Sequence, residues 1–431
     1  MAGGIGPDVI VGSLPNVSNY GIVGGVTAYS VGTTSCNVGD DLLLWQANNN
    51  RHPVIGQNVY RYHEGVMMQV GQSWLKHGFV ALSGSLCDSC DGNGGSVLGV
   101  GCSDPYGSGL NGSQFGLGPR FQVNAFNGAY TYPFANPDGS SGNTIFKRAQ
   151  CKVSDVVPSS NPGARYFVEG HYITADDALA GNGLNNASYR EVTIAESTTM
   201  SILPGSSTQR ELPAIQAWED IDPNATVNQA DVPNEGRFNV GTRVFDNGDG
   251  SWTYHYAIHN LNSDLSAGSF SVSVPSGVNV TGVGFHDVDY HSGEPFDGTD
   301  WSSSLSGEML TWSTDLFSVN SDANAIRWGT MYNFWFTADT APETTAGIIG
   351  LFKTDNVDSV STDIPSPMGA AACVGDCDMS GTVDFADLVA ILFEFGGGGI
   401  EIPTLECNAD GVGGVNFNDL VAALFLFGPC Q

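Results

Sequence analysis

The sequence predicts a mostly β protein: an irregular disulfide-braced N-terminal domain, an antiparallel β-sandwich and a small α-helical tail. Three observations point there. Gly contributes 57 of the 431 residues and Pro 20, while 41% of the chain is hydrophobic and 10% aromatic. That is turn-rich, yet too apolar for a disordered chain and too aperiodic in Gly for collagen. Several segments between 236 and 355 alternate apolar and polar residues with the period of a strand. Nine cysteines fall in two groups, Cys36 to Cys151 and Cys373 to Cys430, the last four within 58 residues. Such density belongs to small stapled domains outside the reducing cytosol.

Charge removes other classes. Fourteen Lys plus Arg against 45 Asp plus Glu give −31, so nucleic acid and anionic membrane surfaces are poor partners. No apolar run reaches the ~18–20 residues needed to span a bilayer. Met1 to Gly12 shows neither a basic region nor the long apolar core of a signal peptide. The expected location is extracellular or the cell surface.

Residues 1–235 form the Gly- and Asn-rich first domain. Within it, Val66, Val70, Leu75 and Phe79 lie near helical spacing beside Met67, Met68 and Trp74, which predicts a helix over Glu64 to Val80. Cys87 to Pro119 reads as a long irregular loop pinned by Cys87, Cys90 and Cys102. Disulfides are favoured over zinc, because no second CxxC completes four ligands. Five early cysteines leave one thiol over.

Residues 236–355 carry the sandwich. Trp252, Tyr254, Tyr256 and Ile258 share one strand face, after the turn Asp246-Asn247-Gly248-Asp249-Gly250. Phe270, Val272 and Val274 alternate again, as do Trp328, Thr330, Tyr332, Phe334 and Phe336. Residues 356–372, without aromatics and with Pro365 and Pro367, read as a linker.

The tail, 373–431, holds a repeat offset by 32 residues: VDFADLVAILFEFG (383–396) over VNFNDLVAALFLFG (415–428). Each copy is a short amphipathic helix preceded by an acidic, Gly-containing loop. The first loop offers oxygen donors at Asp376, Asp378, Ser380, Thr382, Asp384 and Asp387, with Gly381 at the sixth position. A calcium ion takes six to eight hard oxygens, and its loops turn sharply at that sixth residue. A plain acidic turn capped by Asp384 accounts for fewer of these residues. The second loop, Asn408, Asp410, Gly414, Asn416 and Asp419, is poorer because Val412 replaces a donor.

At these residues the tail resembles a type I dockerin, whose paired calcium loops close on Asp. It is most similar to the Cys-flanked dockerin-like tails of secreted planctomycete and marine bacterial proteins. The resemblance implies a calcium-stabilised module that docks a cohesin-like partner or tethers the chain to a surface. Cellulosomal dockerins present small or hydroxyl residues at loop positions 10 and 11; here stand Phe385-Ala386 and Phe417-Asn418. The segments DNGDGSWTYHYAIHNLNSD and HDVDYHSGEPFDGTDW resemble uncharacterised modules that accompany such tails. Cys373, Cys377, Cys407 and Cys430 are expected to form two disulfides within the tail.

Other clusters carry less. Asp287, Asp289 and His291 share a face after His286, a pattern open to a metal or to a solvated edge. His255 and His259 lie four strand residues apart, ~13 Å, too far to chelate one ion. His52, His63 and His77 with Met67 and Met68 make a minor redox-metal reading. No Gly-x-Ser-x-Gly, His-Glu-x-x-His or phosphate loop occurs.

The leading expectation is therefore a secreted, non-catalytic structural or cell-surface protein with calcium in its tail. Self-assembly into a homopolymeric filament or matrix would use Val9-Ile10-Val11 as an added strand, although an intramolecular edge strand is the stronger reading of that segment. The alternative is a carbohydrate-binding or carbohydrate-active protein that meets a polysaccharide through exposed Trp301 or Trp312.

Overall fold

The computed structural model describes residues 5–289, 293–354, 356–369, 374–377, 382–394, 407, 409 and 415–429. It confirms the mostly β class, with disulfides in the first domain and a small helical region at the C-terminus.

The first domain contains β1 (Val9–Ser13), β2 (Val17–Val23), β3 (Val26–Val31), β4 (Thr33–Asn37), β5 (Leu43–Leu44), β6 (Val54–His63), β7 (Val66–Gln72) and β8 (Leu75–His77). It continues through β9 (Val97–Leu98), β10 (Ser103–Tyr106), β11 (Leu117–Gly118), β12 (Ala149–Lys152), β13 (Arg165–Ile173), β14 (Ala187–Ile194) and β15 (Met200–Ile202). The main sheet runs β15-β14-β13-β6-β7-β12-β3-β2, and β1-β4-β10 forms a smaller sheet beside it. Val9, Val11, Leu14, Tyr29, Val59, Val168 and Tyr172 fill the space between them.

The helix expected over Glu64 to Val80 is a hairpin instead. Glu64 and Gly65 form its two-residue turn, with φ of +51° and +80°, so His63 pairs with Val66. Two positive φ values in succession match the twist of the flanking strands. The same glycines that weaken a helix here serve strands. A side chain on Gly71 would approach the Cys151 sulfur at 2.4 Å, where β12 crosses β7.

Val9-Ile10-Val11 is not a spare strand. All three are fully buried, and β1 is held by bonds from the Val9 amide to Asp177 and from Ser188 to the Val11 carbonyl. The expected route to self-assembly is closed by an intramolecular one.

The sandwich holds β16 (Thr226–Asp231), β17 (Arg237–Asp246), β18 (Trp252–Asn260), β19 (Ala267–Ser273), β20 (Val280–His286), β21 (Ser302–Ser306), β22 (Met309–Ser313), β23 (Met331–Ala338), β24 (Pro342–Leu351) and β25 (Ser359–Pro367). Its sheets run β16-β17-β18-β23-β20 and β21-β22-β19-β24-β25. Tyr254, Tyr256 and Ile258 point into the shared core with Phe270, Trp312, Phe334 and Phe336. The sandwich exceeds its expected limits at both ends. β16 begins ten residues early, and most of the expected linker is β25, paired with β24 from Gly350↔Ser359 to Pro342↔Pro367. Pro365 and Pro367 suit this position because an edge strand leaves one row of amides unused.

Candidate metal centre and the interface between the β domains

The tail helices, Phe385–Glu394 and Phe417–Phe425, start on the same device. The Asp384 amide donates to Asp387 Oδ2 at 2.7 Å, and the Ala386 amide to Asp384 Oδ1 at 2.7 Å. One repeat later, the Asn416 amide donates to Asp419 Oδ2 at 2.6 Å, and the Asn418 amide to Asn416 Oδ1 at 2.9 Å. Each start satisfies helix-terminal amides that have no partner within the helix. β26 (Thr382–Val383) pairs with β27 (Gly428–Pro429), closing the first loop's exit against the end of the second helix. Val383, Leu388, Ile391, Cys407 and Ala423 make the small core.

Of the residues expected to hold calcium, Asp376, Asp387 and Asp419 are buried, Thr382 and Asn416 half-buried, and Asp384 exposed. Asp378, Ser380, Asn408, Asp410 and Gly414 lie outside the described residues. Among the described residues, no three His, Cys, Asp or Glu side chains converge as a metal site. The donor chemistry nevertheless fits a hard cation. Three carboxylates are buried in a segment, 373–431, that has nine acidic residues and no Lys, Arg or His. Burying ionised carboxylates without a cation is costly.

Of the expected tail disulfides, Cys377 bonds Cys407; Cys373 and Cys430 lie outside the described residues. In the first domain Cys36 bonds Cys87 and Cys90 bonds Cys102, which removes the zinc alternative. Cys151 is the thiol left over, buried, and desolvation pushes its pKa up.

The histidine readings separate. His52 Nε2 lies 2.9 Å from His77 Nδ1, and His52 Nδ1 lies 2.9 Å from the Gln46 carbonyl. His63 instead meets the Pro162 carbonyl, while Met67 joins an apolar cluster elsewhere. Asp289 pairs with Lys152 at 2.8 Å, Asn324 donates to Asp287 at 2.5 Å, and His291 lies outside the described residues. Trp301 and Trp312 are both buried. Trp301 stacks on Phe285, so neither ring offers a sugar a platform.

Sequence reasoning missed the seam between the two β domains. Tyr60, Val66, Met67 and Phe167 pack there against Ile215, Trp218, Ala257 and Met331. Buried polar groups line its flank. Glu169 accepts from Asn58 at 2.8 Å, Tyr60 at 3.2 Å and the Ala214 amide at 2.7 Å. Burial pushes its pKa up. Arg120 donates to Asn58 Oδ1 at 2.8 Å and the Ser73 carbonyl at 2.7 Å. Its amide and that of Phe121 donate to Glu294, which burial pushes up to about 7. Gln69 receives the Met331 amide at 2.6 Å, and Asn333 donates to the Met67 carbonyl at 2.8 Å. One signal was present: Glu169 and His171 interrupt an otherwise apolar run, Tyr166 to Ile173.

No protein family and no curated protein matches the chain. Among solved structures, it is similar to the Streptococcus agalactiae serine-rich repeat adhesion glycoprotein Srr1 at TM-score 0.21 and 10% identity, covering 83% of this chain and 98% of that one. The N-terminal domain of the Streptococcus gordonii adhesin Sgo0707 gives 0.20 and 8%, covering 85% and 100%. The Amycolatopsis orientalis exo-chitosanase CsxA gives 0.15 and 7%, covering 78% of this chain and only 25% of that one. TM-scores this low assign neither a fold family nor a function.

Proposed function

We propose that the chain is a secreted, non-catalytic structural protein, attached through a calcium-stabilised tail to a partner at the cell surface or in the extracellular matrix. One observation carries the calcium reading: Asp376, Asp387 and Asp419 are buried where the tail sequence supplies no cation of its own. Calcium would be held by the first loop chiefly and would supply the missing positive charge, reversing the repulsion among its carboxylates.

Attachment is supported by what the tail leaves exposed. Phe385 and its repeat mate Phe417 are 73% and 63% exposed, and Phe393 and Phe425 are 84% and 86%. Leu392 and Leu424 are exposed as well. A duplicated apolar surface of this kind marks an interaction site rather than a solvated face. Three disulfides agree with an oxidising location.

The test uses the full chain with calcium removed and restored. Calorimetry is expected to show binding that Asp376→Ala weakens more than Asn408→Ala. Chelator is expected to expose the tail, but not the β domains, to protease. At free calcium one hundred times the dissociation constant, linkage stabilises the tail by ~2.7 kcal/mol. A tail equally resistant with and without calcium overturns the calcium reading; a chain that binds calcium but retains no partner or second copy overturns attachment.

A further inference from the structure

Beside the packed seam, the two β domains leave a cleft of about 490 Å³, within the ~300–1,000 Å³ of small-molecule sites. Its floor is the outer face of a sandwich sheet. There Gln229 of β16 stands opposite Asn239 of β17, which stands opposite His259 of β18. Residues paired in this way share a face. The wall is the segment leading from the first domain into the sandwich, which supplies Glu211, Gln216 and Glu219.

The polar groups here are not spent on the protein itself. Asn239 is only 2% exposed. Its Nδ2 lies 3.2 Å from His259 Nδ1, and among the described residues no donor reaches its Oδ1, which is left to the cleft. The Gln216 and Gln229 side chains likewise make no hydrogen bond among the described residues. Glu211 is held with φ +62°, its amide donating to Ser188 Oγ at 3.1 Å. A residue without the freedom of glycine keeps such a conformation only where its surroundings impose it, as they do at ligand clamps.

We propose that this cleft binds a neutral saccharide. A sugar hydroxyl donates and accepts at once, and the cleft offers both kinds of partner. The Gln216 and Gln229 amides can donate; Asn239 Oδ1, Glu211 and Glu219 can accept. An anionic ligand would meet two carboxylates, while Arg237, the cation of the lining, is already paired with Asp231 at 2.6 Å. An extended peptide added to the free edge of β16 is opposed, because Glu219 already accepts the Val227 amide there at 3.1 Å. Leu184 and Leu212, 40% and 38% exposed, give the C–H face of a sugar ring an apolar rest. Among the described residues no aromatic ring lines the cleft, so affinity must rest on hydrogen bonds. The site lies in the β body and needs neither the tail nor its calcium.

Calorimetry of the full chain against hexasaccharides tests this, with β-1,4-glucan, β-1,4-xylan, β-1,3-glucan and α-mannan as neutral series and a polyuronate as the anionic control. A neutral series is expected to bind, the polyuronate not, and chelator should leave the binding unchanged. Gln216→Ala and Gln229→Ala are each expected to weaken it roughly two- to tenfold, the loss of one hydrogen bond, and the double variant to abolish it. Neither side chain supports the fold by a hydrogen bond, so the melting temperature of both variants should stay at that of the parent. Absence of binding in every neutral series overturns the proposal. So does binding that the double variant retains in full, or a polyuronate that binds as tightly as the neutral sugars.

Discussion

The β body and the tail both bury carboxylates, but they satisfy them from different sources. In the body, Glu169 receives two side-chain donors and a backbone amide, and Arg120 stands in the same network. Asp177 receives the Val9 amide and Asn186, each at 2.8 Å. In the tail, capping amides reach Asp387 and Asp419, yet residues 373–431 contain no basic side chain. The body can therefore close with groups encoded in its own chain. On the calcium reading proposed above, the tail takes its cation from outside, and its stability would follow the concentration of that cation.

Breaking the body's network should give the largest effect. Glu169→Ala leaves Asn58, Tyr60 and the Ala214 amide facing a cavity, and is expected to cost roughly 3–5 kcal/mol. Denaturant unfolding measures it, and calcium uptake by the tail should not change. A loss of calcium binding in this variant would mean that the two regions are coupled.

Acid should separate the regions next. Desolvation lowers His77, His171 and His259 to about 3 and His255 to about 4. Folded values below the unfolded value near 6.5 mean that the unfolded chain binds more protons, so stability falls as pH drops from about 6.5 toward 3. Each such group contributes about 1.4 kcal/mol per pH unit within that window. Asp177 and Glu294, raised to about 7, act with the opposite sign: their contribution is lost as pH rises from about 4 to 7. Four histidines outnumber the two carboxyls, so the offset is partial: body stability should fall gradually from about pH 6.5 to 4, and more steeply below about 4, where only the histidines still change. The tail has no histidine, so the histidine-driven loss belongs to the body. Melting curves of the full chain at stepped pH check this; a body as stable at pH 4 as at pH 7 would contradict it.

The smallest effect belongs to the Glu64-Gly65 turn. Gly65→Ala places a Cβ at φ +80° and within 2.7 Å of the Phe245 ring. The cost should exceed the ~1 kcal/mol of the backbone term alone, because the ring must also move. It should leave the tail's calcium affinity untouched.

The repeat in the tail, the strand faces of the sandwich and the clustering of cysteines were all legible in the sequence. Each is a local pattern: a 32-residue offset, a two-residue period, a spacing. The sandwich turn at Asp246 to Gly250 joins β17 to β18 as its Asn-Gly and Asp-Gly pairs imply. The misreadings came from patterns that satisfy two periods at once. Val66, Val70, Leu75 and Phe79 fit a helix on paper, but Val66 and Val70 also fit a strand. What settled the matter was the pairing of β7 with β6 across a two-residue turn and with β12, a strand distant along the chain. Likewise, β25 looked like linker because an edge strand tolerates proline and polar residues; its partner β24 decides its fate.

By itself, the sequence determined an acidic, turn-rich, cysteine-stapled β chain and the donor spacing of its tail loops. Only the tertiary structure decided which cysteine stays free, that Trp301 and Trp312 face inward, and that Glu169 sits beside the seam of two domains. The reason is physical. Turns, helix caps and hydrophobic periods are set over a few residues, whereas strand pairing and burial, which sets the cost of every charge, depend on the whole fold.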